Sequence, residues 1–239
     1  MTTAYSIIVA FHAAVGVLAL LAFWTAAAVR KGSPLHRRVG QGYLLAMLGI
    51  IATALPLAAF KYQQGKPVIA AFLVYLAVIT ATGVWSAWRA IRDKHDVVRY
   101  TGAVYAGFAW LCLVAGLSVL ALGVKVGSPL LAGFSAIGLF AGQDMLRKRH
   151  NPARLGAQPR WWLTEHYTAM FGNGIATHIA FLAIGLPRLL PAVDGTALHY
   201  VAWFGPVGVA LVAKFVIDRR WRPRAPMGTL PSREPLANG

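Results

Sequence analysis

The chain has 239 residues, of which 58% are hydrophobic and only 13% are charged, and its mean hydropathy is +0.59. Soluble domains carry roughly a quarter charged residues, so this composition excludes a soluble enzyme, a secreted disulfide scaffold and a disordered protein. The single cysteine, Cys112, excludes an intramolecular disulfide and a multi-cysteine metal site.

Seven apolar segments follow one another along the chain, and crossing a bilayer core takes roughly 20 residues for each helix. No Lys or Arg precedes the first segment, which indicates a retained helix rather than a signal peptide. We therefore predict an all-α polytopic membrane helix bundle with seven transmembrane helices in a domain of residues 1–217. The predicted segments are Tyr5–Val29, Val39–Phe60, Pro67–Ala90, Thr101–Val124, Pro129–Met145, Trp161–Leu186 and His199–Ile217.

The formal net charge of +16 is distributed unevenly over the connections. Of the 23 Lys and Arg residues, all but Lys61, Lys66, Lys125 and Arg188 fall in alternate connections or near the C-terminus. Cytoplasmic loops collect Lys and Arg, so this side is predicted to be cytoplasmic, with the N-terminus outside and the C-terminus inside. Residues 218–239, rich in Arg and Pro, are predicted to be a disordered cytoplasmic tail. A bacterial inner membrane with anionic lipids explains the charge, and no nucleic-acid partner is needed.

Two histidines are predicted to lie at matching depth from the outer face. His12 is seven residues into the first helix, and His178 is eight residues from the outer end of the sixth. At 1.5 Å per residue these positions are about 10 and 12 Å deep. Ionisable side chains inside a membrane are costly and mark functional sites. Two imidazoles facing each other predict an outer bis-histidine haem b.

A second set of side chains is predicted near the cytoplasmic face. His36 leads into the second helix and His166 lies five residues into the sixth. These positions predict a second pair of histidine ligands for an inner haem. Alternatively, His36, Asp144 and His166 bind one zinc or iron ion that activates water, with Glu165 as a base. In a third interpretation, a transporter or assembly subunit, the histidines bind no cofactor and are hydrogen-bonded to neighbours.

Two short motifs carry a resemblance to a known family. The stretch PLHRRVGQGY, residues 34–43, contains His-Arg-x-x-Gly-x-x-Tyr and follows a helix that bears His12. The stretch EHYTAM, residues 165–170, places a histidine near the start of a late helix. Both resemble a family of uncharacterised bacterial multi-pass membrane proteins. The resemblance covers most of the first six helices and implies a membrane fold without an assigned activity.

A weaker similarity is to transmembrane di-haem cytochromes b, in which histidines on neighbouring helices hold a haem near each membrane face. It implies axial ligation by His12 with His178 and by His36 with His166, and electron exchange with a quinone or a redox partner protein. Seven-helix intramembrane zinc hydrolases are a further comparison, but their His-x-x-x-His pair is absent from this sequence.

Overall fold

The computed structural model describes residues 3–189 and 195–221. These residues form helices and short turns without a strand, which confirms the predicted all-α fold for this part of the chain. A π-helical segment, Ala180–Gly185, continues the eighth helix into the ninth. The helices of the described ranges, α1 to α10 in chain order, are Thr3–Ala28, Pro34–Gln63, Pro67–Arg92, Val97–Tyr100, Ala103–Val126, Pro129–His150, Pro152–Gly156, Trp161–Ile179, Leu186–Leu189 and Thr196–Trp221.

In the described part of the chain, six helices are long and apolar enough to cross a membrane: α1, α2, α3, α5, α6 and the His199–Arg219 part of α10. The apolar helices support a multi-pass membrane protein. The predicted sixth segment is also helical, as α8, the π-helical segment and α9, but it is not among the six. Its polar side chains, such as Glu165 and Asn173, lower its hydropathy.

The last helix runs further than expected. We predicted that the membrane domain ends at Ile217, whereas α10 continues to Trp221. The remainder of the predicted tail lies outside the described residues.

Four helices enclose the region that carries the candidate histidines. α1 packs on α2, α2 on α3 and α3 on α8, and α8 returns to contact α1. We call α1, α2, α3 and α8 the four-helix group. The short turns at residues 29–33 and 64–66 make its first three helices alternate in direction. The group shares a core that includes Tyr43, Met47 and Val84, so α2 and α8 face each other across it.

The α5–α6 pair packs against the other side of α3. At Gly142 the two helices approach so closely that an added Cβ would lie 2.6 Å from the Ala109 carbonyl oxygen. Tyr75 of α3 joins this pair through backbone atoms of α6. Its hydroxyl donates to the Phe134 carbonyl oxygen at 2.6 Å and accepts from the Gly138 N–H at 2.9 Å. Buried polar groups in an apolar bundle are satisfied in this way.

Candidate functional site

His36 is fixed in the first turn of α2, beside the last turn of α1. Ser33 caps α2, and its Oγ accepts the backbone N–H of His36 at 3.1 Å. The imidazole Nδ1 lies 3.0 Å from the carbonyl oxygen of Ala26. Because a carbonyl oxygen only accepts, Nδ1 carries the hydrogen and Nε2 keeps its lone pair. The ring is therefore oriented with a free acceptor nitrogen.

His166 is held in the same way on the opposite side of the four-helix group. Its Nδ1 donates to the Ala87 carbonyl oxygen of α3 at 2.9 Å, and its side chain is half-buried. Helix α8 faces α2, which carries His36, across the shared core, and both histidines lie within the first two turns of their helices. Neither Nε2 has a hydrogen-bond partner among residues 3–189 and 195–221. The structure thus brings the predicted inner pair into one neighbourhood.

The surroundings of these imidazoles leave room beside His36. Gly40 lies one turn further along α2, and a Cβ added there would meet no atom within 4 Å. Gly40 is nevertheless half-buried, on the same face of α2 as Tyr43 of the shared core. Metal-binding histidines usually donate their other ring N–H to a carbonyl or carboxylate, which sets the tautomer and the ring orientation. Both imidazoles have this arrangement.

His12 is tied to α2 near the other end of the group. Its Nδ1 lies 2.7 Å from the Thr53 hydroxyl oxygen. The Thr53 hydroxyl also lies 2.8 Å from the Gly49 carbonyl oxygen and 3.0 Å from that of Ile50, to which it donates. The hydroxyl oxygen then accepts from His12. The contact is a helix-to-helix hydrogen bond of the kind that holds membrane bundles together.

His178 uses both of its ring nitrogens. Its Nδ1 donates to the Gly174 carbonyl oxygen at 2.7 Å, and the Trp24 indole N–H donates to its Nε2 at 3.0 Å. The rings of Phe23 and Trp24 also pack edge-on against the imidazole, with centroids 5.3 and 5.5 Å away. His178 therefore links α8 to α1 through a hydrogen bond and aromatic contacts.

The structure does not bring His12 and His178 together as the predicted outer pair. His178 lies beside Trp24, which is twelve residues from His12 along α1, roughly 18 Å at the helical rise. The expected matching depth placed the outer end of the helix at Leu186, and correcting that end by three residues accounts for only about 4.5 Å of the difference. Helical structure continues through Leu189, so His178 lies deeper than the sequence suggested.

The carboxylates predicted for the alternative metal site contact cations. Lys148 Nζ lies 2.5 Å from Asp144 Oδ2 and 2.6 Å from Glu165 Oε1, and Arg147 contacts Asp144 at 2.5 Å. The Tyr100 hydroxyl donates to Glu165 Oε2 at 3.2 Å. Burial, reinforced by the nearby Glu165 charge, raises the pKa of Tyr100, so this hydroxyl stays protonated.

The predicted triad of His36, Asp144 and His166 is not assembled. In the described ranges no group of three or more His, Cys, Asp or Glu side chains is placed to hold a metal ion. Lys148 follows Asp144 by one helical turn and reaches its carboxylate directly. Glu165, predicted as a base, is engaged by the same lysine.

The partners of the histidines were missed by sequence reasoning. Ala26 and Ala87 act through backbone carbonyl oxygens, which leave no signal in a sequence. The bond of Trp24 to His178 depends on the packing of α1 against α8, which the sequence does not show.

No family model, curated protein or solved structure matches this chain, so the resemblances carried by its motifs stay predictions.

Proposed function

We propose that this chain is a seven-span protein of a bacterial inner membrane, with its N-terminus outside and its C-terminus in the cytoplasm. The proposal is supported by the partners that two polar side chains of α8 find on other helices. His166 bonds to Ala87 of α3, and Thr177 contacts the Tyr43 hydroxyl of α2 at 3.1 Å. A helix whose polar groups are satisfied by neighbours needs less apolar surface than a lipid-facing one.

Reporters of sidedness at the two termini test this topology. Seven spans require the N-terminal reporter to indicate the outside and the C-terminal reporter the cytoplasm. Both reporters on one side of the membrane would contradict seven spans and leave α8 outside the bilayer core.

We further propose that His36 and His166 are the axial ligands of one haem b and that the protein transfers electrons. The observation that carries this proposal is the pair of free Nε2 atoms on neighbouring imidazoles whose Nδ1–H groups are held by backbone carbonyls. Haem b would supply one-electron exchange between ferric and ferrous iron. A quinone or a redox partner protein is the proposed electron partner.

The residues present fit such a group in three respects. The donors are two imidazoles from facing helices, which is how bundles build cofactor sites. The carbonyls of Ala26 and Ala87 orient the rings and raise the basicity of Nε2. The open space beside Gly40 lies next to His36. The Nε2 of His178 is occupied by Trp24, and His12 contacts a hydroxyl rather than a backbone carbonyl, so the proposal is for one haem rather than two.

An absorption spectrum of the detergent-purified protein, expressed with ample haem and recorded before and after dithionite reduction, tests the proposal. We expect a Soret band, and α and β bands that sharpen on reduction. His36→Ala and His166→Ala should each abolish this low-spin signature. His12→Ala and His178→Ala are matched controls and should retain it. A flat wild-type spectrum, or loss confined to the control variants, would overturn the proposal.

A further inference from the structure

The turn between α1 and α2 presents a cluster of exposed cations. Arg30 and Lys31 lie in the turn, and Arg37 and Arg38 in the first turns of α2. The side chains of Trp24 and Leu35 are also exposed, at 59% and 53%. We call this cluster the α1–α2 basic surface; it consists of Trp24, Arg30, Lys31, Leu35, Arg37 and Arg38.

This surface has no counter-ion among the described residues. The sequence contains no Asp or Glu before Asp93, so α1, α2 and α3 bring no carboxylate to the surface. Asp93 pairs with Arg89 at 2.5 Å and with Arg99 at 3.5 Å. Asp96 accepts the backbone N–H of Arg99, Asp144 and Glu165 pair with cations of α6, and Asp218 pairs with Lys214.

The apolar side chains of the α1–α2 basic surface indicate which class of anion it binds. Arg presents a planar set of donors that match phosphate oxygens bidentately. Tryptophan favours the boundary between headgroups and acyl chains. Leu35 precedes Arg37 by two residues, and Trp24 lies in the last two turns of α1, six residues before Arg30. Both side chains are exposed, so the surface offers apolar contact as well as charge. An acidic soluble protein would need the charge but not this apolar border.

We propose that the α1–α2 basic surface binds the headgroup of an anionic phospholipid, with the acyl chains along Trp24 and Leu35. The phosphate takes the place of the missing counter-ion for Arg37 and Arg38. This inference rests on the proposed membrane location but not on haem, so an absent haem spectrum leaves it untouched.

Native mass spectrometry of the full chain in detergent, titrated with phosphatidylglycerol or with phosphatidylcholine of the same acyl chains, tests the inference. Each cation near an anionic lipid surface is worth roughly a fivefold change in affinity. Arg37→Gln/Arg38→Gln should therefore weaken phosphatidylglycerol binding about 25-fold. Arg37→Lys/Arg38→Lys keeps the charge and should retain most of the binding.

The matched control is Arg92→Gln/Lys94→Gln, which removes two exposed cations beside the carboxylate of Asp93. It should change the affinity less than twofold. Equal weakening by both glutamine variants, or equal binding of the two lipids, would overturn the proposal. Displacement of the lipid by glycerol 3-phosphate at similar concentration would assign the site to a soluble anion instead. If the glutamine variant fails to fold, wild-type binding that is insensitive to salt would contradict the proposal.

Discussion

The two sets of histidines in the four-helix group differ in the hydrogen-bond partners of their ring nitrogens. His36 and His166 each donate through Nδ1 to a backbone carbonyl and keep Nε2 free. His178 has both nitrogens occupied, and His12 is bound to a hydroxyl of the neighbouring helix. Depth in the membrane does not separate a ligand from a packing residue. Among these four, only His36 and His166 combine an Nδ1–H held by a backbone carbonyl with an Nε2 that is unpartnered within the described ranges. The following variants test the packing role of the other two.

The largest expected effect on stability comes from Gly174→Ala in the His178 region. The added Cβ would lie 2.5 Å from a ring carbon of Phe23, and that ring packs against both Tyr43 and His178. Overpacking of this kind should lower the free energy of unfolding by about 1–3 kcal/mol. Gly172→Ala is the matched control, because its Cβ would meet no atom within 4 Å. Thermal unfolding in detergent measures both, and equal melting temperatures would contradict the tight contact.

Trp24→Phe should have a smaller effect, because it removes one hydrogen bond and keeps an aromatic ring. His178 Nε2 would lose its donor, which should lower the free energy of unfolding by about 1 kcal/mol, as for a hydrogen bond between membrane helices. Combining it with His178→Ala in a double-mutant cycle should reveal a coupling of about that size. Additive effects would show that the bond contributes nothing. Trp88→Phe, at another exposed tryptophan, should show no coupling.

Thr53→Val should have the smallest effect and lower the free energy of unfolding by about 0.6 kcal/mol, which is typical of hydrogen bonds between membrane helices. It removes the hydroxyl that His12 contacts and leaves a side chain of similar shape. Thr25→Val is the control, because the Thr25 hydroxyl donates only within its own helix, to the Leu21 carbonyl. Unfolding measurements on both should show the larger loss for Thr53→Val. Neither variant should alter a haem spectrum.

Hydropathy was sufficient to predict helices and their order, because apolar length alone decides whether a segment can cross a bilayer. The predicted sixth segment is helical but is not among the six helices apolar enough to cross a membrane, and some of its polar side chains find partners on other helices. Thr177, for example, contacts the Tyr43 hydroxyl of α2. Such matching is a property of the packed bundle and leaves no trace in a window of sequence.

The candidate site was predicted in part. The grouping of His36 with His166 follows from their positions near the same ends of their helices. The contact of His178 with Trp24 could not be predicted, since it depends on how α8 packs against α1. The pairing of Asp144 with Lys148 rather than with the histidines could have been predicted from the sequence, because Lys148 follows Asp144 by four residues on the same helix face.

The hydroxyl of Tyr75 has a consequence for how the bundle can move. It stands between the Phe134 carbonyl and the Gly138 N–H, which would otherwise bond to each other within α6. Sliding or rotating α6 against α3 breaks both bonds and leaves the Tyr75 hydroxyl without a partner in an apolar interior. The two helices therefore keep a fixed register and act as a rigid frame. The contact of α1 with α8, by contrast, includes the side-chain bond between Trp24 and His178.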